Sequence, residues 1–246
     1  MRNLVPTLIL SVSCMLAGTA ADHGDAHASE PKAKPASAPA GEAPASSEHA
    51  VPAKAETSNG VALQRLMEGN KRYATGKAEP RRDAVRRAQT ATSQKPIAAI
   101  LCCADSRVPP EILFDQGVGD LFVVRVAGNL VDDAVLGSLE YAVDHLGVDL
   151  IIVLGHERCG AIKAASAGGE AHGHLGAVLT PLKPAIEQSR GQPGDQVENA
   201  VKINARLMAK QLRESRPSLK AAGDRGALAV VSARYDLDDG NVEILW

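Results

Sequence analysis

Three short apolar runs decide most of what this chain can fold into: 97–102, 121–126 and 148–154. None alternates cleanly between apolar and polar residues, and each is long enough for a single strand, the pattern of strands buried on both faces of a parallel sheet. Between the second and third runs, Asp132–Leu146 repeats Leu136, Leu139, Val143 and Leu146 at helical spacing, and Asp132 or Asp133 can cap its start. Strand–helix–strand alternation implies right-handed crossovers. The expected fold is therefore α/β, a mostly parallel β-sheet flanked by helices. Farther on, 178–189 and 195–215 read as helices, the first interrupted by Pro181 and Pro184. The segments 228–235 and 242–245 flank Asp238-Asp239-Gly240-Asn241, which predicts a C-terminal β-hairpin. Upstream, Ser58 can cap a helix that places Leu63, Leu66, Met67 and Tyr73 mainly on one face, and Arg81–Arg87 reads as a basic, solvated helix.

Composition divides the chain. Residues 1–21 read as an export signal: Arg2 supplies positive charge, Leu4–Leu16 is mostly apolar, and Ala17-Gly18-Thr19-Ala20-Ala21 offers small residues for cleavage. The apolar run is too short to span a bilayer comfortably. Cys14 raises the alternative of a lipid anchor, but Ser11-Val12-Ser13 before it is a poor match to such a site. Residues 22–58, rich in Ala, Pro, Ser, Glu and Lys, have Val51 as their only bulky aliphatic residue, too little to offset ordering entropy, and read as a disordered linker in which His23, His27 and His49 are solvated. Residues 59–246 form the expected folded domain. The protein is thus expected to be periplasmic or secreted, without stable membrane insertion once the signal is removed.

Net charge is −2 and aromatics are only 2% of the chain, which argues against nucleic-acid binding and aromatic carbohydrate platforms. Of the four cysteines, Cys14 lies in the signal, leaving Cys102, Cys103 and Cys159. An odd count suits a disulfide framework poorly and suits metal binding better.

Cys103 follows the first apolar run directly, and His156 and Cys159 follow the third. Open parallel sheets gather ligands at the carboxyl ends of their strands, near a topological switch point, so ordinary topology can unite these distant residues. Two thiolates and an imidazole suit Zn2+, and three protein ligands leave a fourth position for water, whose pKa zinc lowers to about 7. Asp105 is close enough in sequence to approach the metal, and Arg107 can engage that carboxylate through its fork. Paired, Asp105 would accept a hydrogen bond from the zinc-bound hydroxide and orient its lone pair at the substrate; unpaired, it could fill the fourth position itself as a metal ligand. From the residues alone three readings stay open: catalytic zinc, buried structural cysteine and histidine, or a thiol nucleophile formed by Cys103 with His156.

Cys103-Ala104-Asp105-Ser106-Arg107 and Gly155-His156-Glu157-Arg158-Cys159-Gly160 resemble the two signature motifs of the beta-class carbonic anhydrases. Val124-Arg125-Val126-Ala127-Gly128-Asn129, Glu140-Tyr141-Ala142-Val143 and 233–240 are also similar to that family. The resemblance implies interconversion of carbon dioxide and bicarbonate by a zinc ion on Cys103, His156 and Cys159, with Asp105 and Arg107 as the catalytic dyad. It further implies that Gln94 hydrogen-bonds substrate, often across a dimer interface, that the Gly160 backbone lines the substrate site, and that the protein is a homodimer or a dimer of dimers. Tyr141 and His145 fall where some members carry proposed proton-transfer residues, although His145 also reads simply as the end of an amphipathic helix. His172 and His174, in a glycine-rich stretch, read as loop residues.

The sequence departs from the family at two places. Cys102 stands where a small residue is usual and reads as a buried small hydrophobe or, less directly, as a competitor for metal. Ile100 stands where members with a second, bicarbonate-holding site carry a tryptophan, although Arg125 and Tyr235 resemble the other two positions of that site. Alternatives to carbon dioxide hydration are hydrolysis of carbon disulfide or carbonyl sulfide on the same fold, a non-catalytic zinc or bicarbonate-binding module, and the cysteine hydrolase.

Overall fold

The computed structural model describes residues 57–79 and 83–245. The expected signal with Cys14, most of the expected linker with His23, His27 and His49, and Arg81 lie outside the described residues. No helix among the described residues is long and apolar enough to cross a membrane.

Along the chain come α1 (Ser58–Ala74), α2 (Ala84–Gln89), β1 (Ala98–Cys102), α3 (Pro110–Leu113), β2 (Leu121–Arg125), a 3-10 turn (Ala127–Asn129), α4 (Asp133–Leu146), β3 (Leu150–His156) and α5 (Gly160–Ala167). Then follow α6 (Leu175–Leu179), a second 3-10 turn (Thr180–Leu182), α7 (Lys183–Ser189), α8 (Gln196–Glu214), α9 (Ser218–Asp224), β4 (Ala229–Tyr235) and β5 (Val242–Leu245). The strands form one five-stranded sheet in the order β2-β1-β3-β4-β5. The first four are parallel and β5 returns antiparallel beside β4, the expected hairpin.

Every residue of β1 and β3 is buried, as their unbroken apolar sequences require. Successive side chains point to opposite faces and separate two cores. Ala99, Leu101, Ile151 and Val153 face α4, α5 and α8, while Ala98, Ile100, Ile152 and Leu154 face α1 and α3. The expectation of a buried strand is met less fully by β2, where only Leu121 is buried, because β2 lies at the edge of the sheet.

Local sequence explains most boundaries. Asp132 caps α4 by accepting from the Val135 N–H, and Gly147 ends that helix in left-handed backbone. Asp195 caps α8 through the Glu198 N–H. Thr57, not Ser58, occupies the cap position of α1, and its side chain makes no capping bond; Ser58 is already helical and its hydroxyl instead donates to Asp149. Pro181 and Pro184 do not break the chain. Each sits in the first turn of a helical segment, where its missing N–H costs nothing, so 175–189 runs on as α6, 3-10 turn and α7.

This order of strands builds the switch point. From β1 the chain crosses to β2 on one side, and from β3 it crosses to β4 on the other. The adjacent carboxyl ends of β1 and β3 therefore open between oppositely directed crossovers, the crevice in which open parallel sheets bind ligands.

Candidate metal centre

Cys103, His156 and Cys159 meet at that opening. Their donor atoms all lie within 4.8 Å of one another, and all three residues are buried. Cys103 is the first residue beyond β1 and His156 the last of β3. Cys159 ends the turn that follows and stands at the cap position of α5. That turn needs left-handed backbone at Arg158, whose φ is 52°. Cys102, by contrast, faces the opposite side of the sheet, where its thiol approaches the Val108 carbonyl at 3.9 Å. It cannot reach the cluster, which removes it as a competitor for metal.

The donors suit a cation. The His156 ring lies within 2.9 Å of the Glu157 carbonyl through Nδ1, so Nδ1 carries the proton and Nε2 presents its lone pair to the two sulfurs. Nε2 is buried with no hydrogen-bond partner. An acceptor stranded in this way beside two thiols is satisfied by a metal ion. The neighbouring Cys159 thiol pushes the Cys103 thiol down, while the same contact and burial push Cys159 up. A thiolate already favoured at Cys103 is a ready ligand.

Asp105 stands beside the cluster, its Oδ2 3.8 Å from His156 Nε2. Arg107 grips it with Nε on Oδ1 at 2.9 Å and Nη2 on Oδ2 at 2.8 Å, and the Arg107 N–H adds a bond of 3.0 Å. These contacts hold the Asp105 carboxyl well below the usual carboxylate range. In this arrangement the carboxylate is engaged by Arg107 rather than counted among the three clustered donors.

Arg125 ties down the same loop, donating to the carbonyls of Cys103 at 3.1 Å and Asp105 at 2.5 Å. Tyr235 is 3.3 Å from the Tyr73 hydroxyl, and Ile100 is fully buried. The two residues that resemble a bicarbonate-holding site are thus occupied with contacts inside the fold. Gly160 opens α5, and a Cβ placed there would meet nothing within 4 Å, so its backbone faces open space. Gln94 is exposed in the loop before β1. It lies at the amino end of a strand whose carboxyl end carries Cys103, so the structure does not bring it to the cluster of its own chain. His145, in the last turn of α4, stacks on Tyr141 with ring centroids 5.2 Å apart and is likewise at the amino end of the sheet. His172 and His174 are exposed in the loop before α6.

The family-like segment ending in Ala127-Gly128-Asn129 forms a turn whose Gly128 N–H donates to the Cys103 sulfur at 3.4 Å, a contact the sequence does not reveal. One residue near the site is not singled out by the sequence: Asn204 of α8, which donates to the Gly128 carbonyl at 2.9 Å. The available signal was a polar residue within the apolar stripe of 195–215.

A family model described as carbonic anhydrase matches residues 98–242. "Carbonic anhydrase 2" of Mycobacterium tuberculosis is 43% identical over 187 residues, covering 73% of this chain and 89% of that protein. A carbonic anhydrase of Mycolicibacterium smegmatis is 40% identical over 191 residues, covering 75% and 92%. Among solved structures, the Coccomyxa beta-carbonic anhydrase in complex with acetazolamide aligns with a TM-score of 0.60 at 31% identity, over 74% of this chain and 86% of that one. A tetrameric beta-carbonic anhydrase of Sordaria macrospora aligns with a TM-score of 0.59 at 25% identity, over 75% and 97%.

Proposed function

The chain belongs to the beta class of the carbonic anhydrase family, and from that premise we propose that it binds zinc at Cys103, His156 and Cys159 and interconverts carbon dioxide and bicarbonate there. Zinc in that position supplies the Lewis acidity that allows a water to ionise near neutral pH. Asp105 accepts a hydrogen bond from the attacking oxygen and so aims its lone pair at carbon dioxide, while the proton released leaves to buffer. Arg107 keeps the carboxylate ionised and oriented for the task, and Arg125 fixes the backbone that carries both Cys103 and Asp105.

The observation that carries this reading is the forked Asp105–Arg107 pair beside the clustered donors. A purely structural zinc site, or a zinc or bicarbonate carrier without turnover, needs no such pair. No observation favours carbon disulfide or carbonyl sulfide as substrate.

Gln94 supports an assembly of more than one copy. β1 separates it from Cys103, and its five residues alone span roughly 16 Å at about 3.3 Å per residue. A substrate contact from Gln94 therefore has to be made in the site of a second subunit, and a dimer or dimer of dimers fits. The apolar amino-terminal run supports action outside the cytoplasm; mature protein recovered with its first residues intact would overturn that placement.

Metal analysis combined with stopped-flow carbon dioxide hydration tests the main reading. One zinc per chain and turnover lost on zinc removal are expected. Turnover that survives thorough zinc removal, with sensitivity to thiol alkylation, would instead identify Cys103 and His156 as a hydrolytic pair.

A further inference from the structure

We propose that Asn204 is a positioning residue for the metal centre, fixing the turn that aims the Gly128 N–H at the Cys103 sulfur. The inference rests on the metal-binding reading and adds to it a residue that touches neither metal nor substrate.

The buried face of α8 is otherwise apolar: Ala200, Val201, Ala205, Met208, Ala209 and Leu212. Asn204 interrupts it at 1% exposure. Its Oδ1 is buried without a hydrogen-bond partner, and such an orphan lowers stability. Leucine has nearly the same size and would remove that orphan, but it would leave the Gly128 carbonyl without its partner. The amide is therefore explained by the bond it does make, from Nδ2 to the Gly128 carbonyl at 2.9 Å.

That carbonyl is a sensitive point. Gly128 has φ 74° and Asn129 after it φ 44°, two consecutive left-handed residues. Glycine has the widest backbone freedom of any residue, so its N–H direction is not set by its own sterics. Asn204 holds the peptide group on one side of the Gly128 Cα, and the N–H on the other side meets the Cys103 sulfur at 3.4 Å. Pinning the first restricts the second. A hydrogen bond to a ligand sulfur lowers its basicity and fixes its lone pairs, so the link from Asn204 through Gly128 to Cys103 sets how the sulfur grips a metal.

The test is spectroscopic and uses the full chain loaded with Co2+, whose sulfur-to-cobalt charge-transfer band reports on the thiolates. In Asn204→Leu the band is expected to move to lower energy. Co2+ affinity, measured by competition with a chromophoric chelator, should fall about 10-fold or more. Asn204→Ala reads the same band should leucine not be accommodated. Leu182→Ala is the packing control: its side chain lies against Gly128 but makes no hydrogen bond to it, so it should lower the thermal midpoint and leave the band in place. A parent-like band and affinity in Asn204→Leu, or an equal band shift in Leu182→Ala, would overturn the proposal while leaving the function standing. A parent protein that takes up no Co2+ at the three donors would overturn both.

Discussion

Arg158, in left-handed backbone between His156 and Cys159, forks onto both carboxylate oxygens of Asp238, at 2.8 and 2.6 Å. Asp238 belongs to the turn between β4 and β5. The neighbouring Glu157 accepts from the Leu237 N–H at 3.2 Å, and Arg234 joins Asp236 and Glu198 in the same group of charges. The hairpin turn is thus clasped to the loop that carries two of the three donors.

Because the Arg158–Asp238 pair is largely exposed, screening should govern it. Asp238→Asn is expected to lose zinc to a chelator a few-fold faster than the parent at low ionic strength. In about 1 M salt, where the screening length is about 3 Å, the two rates should converge. Equal rates at low salt would show that the clasp does not restrain the loop.

Asp105→Asn with zinc retained should lower hydration about 100-fold or more, the scale of a misoriented attacking oxygen. Arg107→Ala should cost a similar factor, because it frees the same carboxylate. The double variant should be no worse than either single one, since the two residues act as a unit. Additive losses in a double-mutant cycle of kcat/KM would contradict the pairing.

The same pair sets a pH dependence. Arg107 holds the Asp105 carboxyl well below its ordinary range, so Asp105 remains ionised across the working range of the enzyme. Asp105→Asn should therefore lower the plateau of the rate profile without moving its acid limb. A depressed carboxyl contributes stability above its unfolded value, about 3.9, and loses it as pH falls through the folded value. The stability gap between parent and Arg107→Ala should be constant from about pH 5 upward and close below about pH 4. Thermal midpoints across that series decide the matter.

Cys102→Ala should retain zinc in full, because its thiol lies on the far side of the sheet from the cluster. Burial pushes that thiol up to about 12, so in the native parent it should react with alkylating agents only as the protein opens. Substoichiometric zinc in this variant would place Cys102 among the ligands.

Gly69→Ala tests how α1 is seated. A Cβ there would fall 1.9 Å from the Phe114 carbonyl oxygen, a backbone atom that cannot swing aside. Overpacking of this kind costs about 1–3 kcal/mol, and the thermal midpoint should drop accordingly. A midpoint equal to that of the parent would mean that the helix shifts without resistance.

How much of this was legible in the sequence depends on whether the cause was local. β1, β3 and the hairpin announce themselves through apolar runs and turn residues, and α4 and α8 through periodicity with an aspartate cap. Strand ends and spacing bring the three donors together, while the choice of metal ligation among the open readings came only with the family resemblance. α3, with four residues, and α5, Ala-rich with only Ile162 buried, are too short or too uniform to show a period. The exposure of β2 depends on which strand ends at the edge, a fact of topology. The bond from Asn204 to Gly128 joins residues far apart in the chain, and only the packing of α8 over the strand ends makes it visible.

The division of donors between β1 and β3 also orders events in the life of the molecule. Cys103 comes into range of His156 and Cys159 only after two strands distant in sequence have aligned side by side. At the proposed zinc site, tight capture of an ion would therefore follow assembly of the central sheet instead of nucleating it, unlike small domains that stay unfolded until metal arrives. A chain carried unfolded to another compartment would leave its metal behind and acquire it at its destination.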